Sequence, residues 1–462
     1  MATFQRRYPL GMKSNNTPPD SSGLKKVMRT RDLVIFGMVF MAPVSAQTLF
    51  AELSSVSSNH AVLSYLVALA AMFFTALSYG KMAGTFSSAG STYSYTAKAI
   101  HPIAGFIAGW GILLDYLLMP ILLCKLSAVY ALELFPGVPF WVMLLVFFLP
   151  VTISNFLGAA ISSIVNIIMT AIMIISLLLF VSFAIKHISG TDGMQGIFTF
   201  EGLYQADTFS FQAMMSGASI AVLSYLGFDA VTTMAEDSTV KGKMVGRAAV
   251  IALFMSAFLY CIQAYFATLI TQTVGTFKSP DTAFFEIAQT VGGNSLALLV
   301  TLVISISGIS TALAGQASAS RIIFSMARDK RLPASFSKLH PRFKTPYISI
   351  LTLAVLGYLG AVCIPLSIVY TIMVFGGLIG FICVNLSVIS EFSIKRRKMM
   401  GLGFFSHFLF PAIGFLISTY ILFSMDVIGK TVGVLWLIFG LVILGLTENG
   451  IKIKEISIDE FQ

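Results

Sequence analysis

Charged residues are scarce in this sequence. They make up 11% of the 462 residues, against about 25% in soluble domains, whereas hydrophobic residues reach 57%. This composition excludes a single soluble domain. Apolar runs of about 20 residues recur along nearly the whole chain, and each is long enough to cross a bilayer as a helix. The sequence therefore predicts an all-α polytopic membrane protein.

Cysteine and histidine are also rare, and neither is spaced for chemistry. The four cysteines lie in apolar runs without a CxxC pair or Cys/His metal spacing, and the five histidines are scattered. The sequence contains no GxSxG, Walker or HExxH motif. These absences disfavour an ATP-driven pump and a membrane hydrolase. We therefore expect neither enzymatic activity nor a metal or other cofactor.

Basic residues outnumber acidic ones, giving a net charge of +9. In a soluble protein this surplus would suggest nucleic acid, but in a membrane protein it sets orientation, because basic loops stay in the cytoplasm. With the N-terminus inside, the outer loops hold only Lys186, Lys278 and Lys430, and Lys125 lies within a span. The distribution predicts that both termini are cytoplasmic and that the partner is the lipid bilayer, not nucleic acid.

Twelve transmembrane helices are predicted between two polar tails. Residues 1–31 lack the apolar segment of a cleavable signal peptide and predict a disordered, basic cytoplasmic tail, and residues 448–462 predict a second cytoplasmic tail. Residues 317–340 are too polar to span and predict an interfacial helix. The twelve helices are placed at 32–56, 61–83, 103–132, 139–157, 160–187, 209–235, 244–271, 288–316, 346–363, 366–390, 404–425 and 428–447.

These helices divide into five (32–187), five (209–390) and two (404–447). Because five is odd, the second set must be inverted relative to the first, so an inverted repeat is permitted. A discontinuous helix opening each half marks such a transporter, although either break alone could be a structural kink. Helices one and six both carry break signals. The candidate substrate-binding residues are Ala42, Pro43, Ser45 and Gln47 on helix one, Tyr116 on helix three, and Tyr225, Gly227 and Asp229 on helix six.

Ionisable residues within spans are functional candidates, because each costs about 3 kcal/mol or more at the bilayer centre. Glu236 lies seven residues after Asp229, two helical turns, so both can face one pathway. We assign Glu236, Asp115 and Lys125 to proton coupling or gating. Glu236 could instead belong to a solvated ion-pair cluster. Lys125 needs a partner from another helix, as a built-in cation, or it snorkels to the surface.

Small residues dominate the end of helix eight. Twelve of the sixteen residues at 305–320 are Gly, Ala, Ser or Thr, a composition that favours close helix packing. Ser310 and Thr311 in this segment could also offer oxygens to a small cation.

Three groups of motifs resemble those of a known family. They are SYGK (78–81), AGSTYSY (89–95) and GWGILLDYLLMP (109–120); YLGFDAVTTMAE (225–236); and ASASR (317–321) with ARD (327–329) and Pro333. With them the chain resembles the amino acid, polyamine and organocation superfamily of secondary transporters from about residue 25 to 425. Within this superfamily it is most similar to bacterial putrescine importers.

The resemblance implies a five-plus-five inverted-repeat bundle in the cell membrane of a bacterium. It also implies alternating access, a substrate held between the breaks in helices one and six, and uptake driven by a proton gradient. By position, Tyr116 and Glu236 match residues that putrescine importers use for recognition and transport, and Asp229 matches their Gly-Phe-Asp.

Two departures from the importers bear on the substrate. Thr48 stands where they tend to place an aspartate, and Lys125 replaces an apolar residue. However, residues 41–47 lack the glycines whose amides bind the carboxylate in amino acid carriers. We therefore expect a proton-coupled importer or exchanger of a small amine such as putrescine. The alternative is a permease for a neutral or cationic amino acid.

Overall fold

The computed structural model describes residues 28–86, 91–135, 137–191, 193–235, 237–274, 283–397, 402–425 and 427–448. The predictions for most of the N-terminal tail, for nearly all of the C-terminal tail and for Glu236 therefore lie outside the described residues. Within those residues the fold is almost entirely helical, and a single isolated β-bridge joins Met28 to Ser238.

Seventeen α-helices follow one another along the described chain. They are α1 (Thr30–Phe40), α2 (Ser45–Val56), α3 (Ala61–Thr85), α4 (Ser91–Ala99), α5 (Pro102–Leu134), α6 (Phe140–Leu157), α7 (Ala159–Thr191), α8 (Gly193–Ile197), α9 (Phe211–Tyr225), α10 (Ala230–Thr233), α11 (Gly242–Val274), α12 (Ala283–Arg328), α13 (Tyr347–Cys363), α14 (Leu366–Val388), α15 (Leu402–Phe404), α16 (Phe410–Ser424) and α17 (Val427–Glu448). Two π-helical segments, Ile389–Lys395 and Phe405–Leu409, lie between α14 and α16.

Ten helices or helix pairs of the described chain are long and apolar enough to span a membrane, and α1 with α2 forms an eleventh, bent span. The predicted polytopic, all-α fold is therefore confirmed. The count of twelve stays a prediction, because α13 has 17 residues whereas a span needs about 20.

The most extensive helix contacts join α5 to α12 and α3 to α11. These are the third and eighth, and the second and seventh, predicted spans, so helices at corresponding positions of the two sets of five pack together. Glycines permit the close approach. A Cβ on Gly246 would lie 2.2 Å from the Cα of Gly80, and a Cβ on Gly308 would lie 1.9 Å from the Oγ of Ser127.

The predicted interfacial helix at 317–340 is wrong. Helix α12 continues without a separate element to Arg328, and only the short 3-10 turn Ala334–Ser337 follows. Three polar residues of the helical part of this segment, Ser318, Ser320 and Arg321, are buried within the protein. Their polarity therefore reflects contacts within the protein.

Candidate functional site

The first span breaks between α1 and α2, which meet at an angle of 41°. Ala42 at the break has a φ of +47°, a left-handed conformation that non-glycine residues seldom adopt. Pro43 follows and has no backbone N–H to donate. The predicted discontinuity of helix one is therefore confirmed at the predicted residues.

Side chains of neighbouring helices satisfy the carbonyls that this break frees. Tyr260 donates to the carbonyl of Met41, Gln263 to that of Pro43 at 2.8 Å, and Thr311 to that of Val39 at 2.7 Å. An unsatisfied carbonyl at membrane depth would cost several kcal/mol, so these bonds make the break tolerable.

The sixth span breaks between α9 and α10, as predicted. Gly227 has a φ of +117°, and a Cβ there would lie 2.0 Å from the Cδ1 of Phe40. Both the backbone conformation and the contact with α1 therefore require glycine. The two breaks are also bonded to each other, since the Oγ of Ser45 donates to the Oγ of Ser224 at 3.0 Å.

Two carboxyl groups are buried at the sixth-span break. Asp229 accepts hydrogen bonds from the Tyr116 hydroxyl and, at 3.3 Å, from the Gly227 amide. Asp115 is fully buried, and neither of its carboxylate oxygens has a hydrogen-bond partner in the described structure. The two aspartates are near enough to interact electrostatically.

No basic side chain among the described residues forms an ion pair with Asp115 or Asp229. A buried charge without a counter-charge is strongly unfavourable, so these carboxyl groups must hold a proton or face a cation. The arrangement can therefore bind an ammonium group, exchange a proton, or do both.

A small cavity of about 50 Å³ lies beside the first break, and Leu223 of α9 also lines it. Its lining includes Ala42, Ser45, Thr48 and Thr311. Phe40 also lines the cavity and packs edge-on against Tyr116, with ring centroids 5.6 Å apart, so a single ring connects the cavity to the Tyr116–Asp229 pair.

One end of the bundle is open and the other is closed around this cavity. Toward the Val56 end, a vestibule of about 690 Å³ shares Leu49, Leu223 and Tyr370 with the small cavity, and Glu52 is the charged residue of its lining. The vestibule and the small cavity therefore adjoin each other.

At the opposite end, Arg321 of α12 donates to Asp237 at 2.5 Å, and both side chains are buried. Thr233 of α10 donates to Ser318 of α12 at 3.1 Å. Helix α4 closes the same end, with the Ser91 hydroxyl 2.5 Å from that of Thr232.

The remaining predicted residues have other contacts. The Tyr225 hydroxyl donates to the Tyr65 carbonyl at 3.0 Å, and Gln47 is buried with no partner for its amide among the described residues. Ser310 donates to the Ser307 carbonyl of its own helix at 2.9 Å. The cation site at Ser310 and Thr311 stays a prediction.

Lys125 does not join the buried carboxyl groups. Its ammonium donates to the Ile364 carbonyl at 2.7 Å, at the C-terminal end of α13, and lies 5.9 Å from the Phe140 ring. The partner from another helix is thus a backbone carbonyl at the negative end of a helix dipole.

Sequence reasoning missed Tyr260 and Gln263, which support the first break from α11. Both are fully buried polar residues within a predicted span. Their spacing of three residues places them on one face of the helix, and this was the available signal.

Comparison with known proteins connects this geometry to a family. The amino acid permease family model matches residues 47–411. The low-affinity putrescine importer PlaP of Escherichia coli is 27% identical over 443 residues, covering 95% of this chain and 98% of that protein. The branched-chain amino acid permease BcaP of Bacillus subtilis is 24% identical over 454 residues, covering 91% and 92%. Cationic amino acid transporter 4 of Mus musculus is 25% identical, covering 84% of this chain and 62% of that protein.

Because the family match extends over most of the sequence, and both predicted breaks are present, this chain belongs to the amino acid permease family.

Proposed function

We propose that this protein is a secondary transporter that takes up a small amine, such as putrescine, across the cell membrane by alternating access. One observation carries the proposal: Asp115 and Asp229 are buried at the break of the sixth span without a basic partner in the described structure. An ammonium group would supply the missing counter-charge. The similarity to a putrescine importer supports the same substrate class.

We further propose that protons couple to this uptake. When no amine is bound, protonation of Asp115 or Asp229 would remove the cost of the buried charge. Because the site has two carboxyl groups, one could face the ammonium group while the other holds a proton, so that amine and proton would move inward together. Glu236, two turns beyond Asp229, remains the proposed exit for the proton toward the closed end.

Alternating access fits the two ends of the bundle. The vestibule at the Val56 end leads to the small cavity, whereas Arg321 and Asp237 close the other end. A cavity of about 50 Å³ is far below the roughly 300 Å³ of ordinary ligand pockets, so an amine can enter only if the half-helices separate. We propose that the open vestibule faces outward and that both termini are cytoplasmic.

An amino acid permease is the second candidate. Thr48, and not a carboxylate, lines the small cavity next to the first break, so only the sixth-span side of the site carries acidic groups. This asymmetry suits a substrate with one ammonium group, and two of the similar proteins are a permease and a transporter of amino acids.

Uptake into proteoliposomes separates the two functions. Radiolabelled putrescine should accumulate when the lumen is alkaline relative to the outside, and collapse of the pH gradient should abolish accumulation. Unlabelled diamines should compete, whereas neutral amino acids should not. Accumulation of a neutral or cationic amino acid in place of putrescine would establish the permease, and uptake unaffected by the pH gradient would contradict proton coupling.

A further inference from the structure

A basic groove lies on the outside of the bundle, away from the buried carboxyl groups. It has a volume of about 680 Å³ and runs between α3, α11 and the segment that leads into α16. Gly80, Gly84 and Gly246 line it, so its floor has no side chains where the two helices meet. The groove lies at the end of the bundle that Arg321 and Asp237 close, where the basic loops are concentrated.

Three cationic side chains converge in the groove: Lys81, Lys243 and Arg247. The Lys81 ammonium donates to the Oγ of Ser406 at 2.9 Å, whereas Lys243 and Arg247 are exposed. Among the described residues, no acidic side chain lines the groove and none forms an ion pair with any of the three cations. Three positive charges with no ion-pair partner in the described part of the chain favour an anionic ligand.

The other wall of the groove is apolar and lies largely on helices that are long and apolar enough to span a membrane. Leu77, Val250, Ile251 and Phe410 line it, and Ile251 is 46% exposed on a membrane-spanning helix. A free phosphate or nucleotide would use the cations but would leave this wall unused. A phospholipid uses both, because its phosphate meets the cations while its acyl chain covers the apolar side chains.

We propose that this groove binds one anionic glycerophospholipid of the cytoplasmic leaflet, with its phosphate between Lys81, Lys243 and Arg247. Anionic lipids are attracted to basic pockets between helices on the cytoplasmic side of membrane proteins. The bound lipid would connect α3, α11 and the start of α16 at the closed end. The proposal is independent of the transported substrate.

Lipid binding can be measured by native mass spectrometry of the purified protein titrated with phosphatidylglycerol. The informative variant is Lys243→Gln with Arg247→Gln, because both side chains are exposed and their loss does not disturb the core. Each cation near an anionic headgroup strengthens binding by about fivefold, so the double variant should bind phosphatidylglycerol about twentyfold more weakly. The matched control is Lys241→Gln with Lys338→Gln, two exposed lysines outside the groove, which should stay within about twofold of wild type.

Three results would overturn the proposal. Equal affinity of the wild type and the groove variant for phosphatidylglycerol would show that Lys243 and Arg247 do not contribute to lipid binding. Equal affinity of the wild type for phosphatidylcholine and phosphatidylglycerol would show that the groove binds lipid through its apolar wall alone and does not select an anionic headgroup. Displacement of the lipid by glycerol phosphate at comparable concentration would identify a site for soluble anions.

Discussion

At the scale of single residues, the buried carboxyl groups distinguish this protein from a bundle held together by packing alone. Asp229 and Tyr116 could be selected from the sequence, and the structure joins them by a hydrogen bond. The isolation of Asp115 could not be predicted, because the absence of a partner depends on every helix that surrounds the residue. The same holds for Lys125, whose partner is a backbone carbonyl and so leaves no mark in the sequence.

The charge of Asp229 should be essential for transport. Asp229→Asn preserves the shape and still accepts the Tyr116 hydrogen bond, but it cannot balance an ammonium group. We expect uptake into proteoliposomes to fall by about tenfold or more, since an unpaired buried charge costs several kcal/mol. The control is Asp207→Asn, an exposed carboxylate, which should transport normally. Wild-type uptake by the Asp229 variant would exclude this carboxylate from the substrate site.

Glu52 should affect how substrate enters and should leave the transport step unchanged. It is the charged residue that lines the vestibule, and it is exposed to solvent. Glu52→Gln should therefore raise the KM for a cationic substrate by about three- to tenfold at low salt, with kcat nearly unchanged and the difference disappearing at high salt. Glu201→Gln, at an exposed carboxylate outside this vestibule, serves as the control. A change in kcat without a change in KM would argue against an entry role.

At the scale of elements, the two broken helices show what sequence can and cannot establish. Pro43 and Gly227 located both breaks, because proline and glycine act on the backbone of their own segment. Helix α4 was not predicted, and the continuation of α12 to Arg328 was assigned to a separate interfacial helix. Both are amphipathic or polar segments whose helical state depends on burial against α5 and α10, and hydropathy alone does not report such contacts.

Gly227 should be intolerant of even one added methyl group. Gly227→Ala would place a left-handed alanine, at a cost of about 1–2 kcal/mol, with its Cβ 2.0 Å from the Phe40 ring. The backbone strain and the clash together should lower the melting temperature of the purified protein by several degrees and reduce transport. Gly190→Ala has open space around the added Cβ and should leave both unchanged. Equal melting temperatures for the two variants would mean that the break can move away from Phe40.

At the scale of the whole molecule, the structure has one end open and the other closed by a buried ion pair. Removing one partner of a buried ion pair is usually strongly destabilising, whereas removing both can be nearly neutral. Arg321 and Asp237 join α12 to the segment that follows α10, so they tie the second broken span to the helix that packs most extensively on α5. Opening of this end requires the pair to separate.

The ion pair therefore predicts a specific pattern of defects. Arg321→Gln and Asp237→Asn should each destabilise the protein by about 3–5 kcal/mol relative to wild type, as read from thermal or denaturant unfolding. The double variant should recover much of this stability but should close this end less firmly, so that exchange in the absence of a gradient becomes faster. Additive losses in the double variant would show that the two side chains are stabilised by other neighbours.

Orientation in the membrane decides whether the open vestibule receives substrate from outside. The outer loops hold three basic residues in our assignment and the cytoplasmic segments hold most of the rest, so the energetic preference for one orientation is large. Single cysteines at Ser189, near the end of α7, and at Lys338, beyond α12, test this in a background without the four native cysteines. An impermeant thiol reagent should label only the 189 site in intact cells and both sites after permeabilisation. The two sites lie in segments predicted to be on opposite faces of the membrane. Labelling at 338 alone would therefore show that the orientation is the reverse of the predicted one. The Glu52 vestibule would then open to the cytoplasm, and the basic groove would contact the outer leaflet.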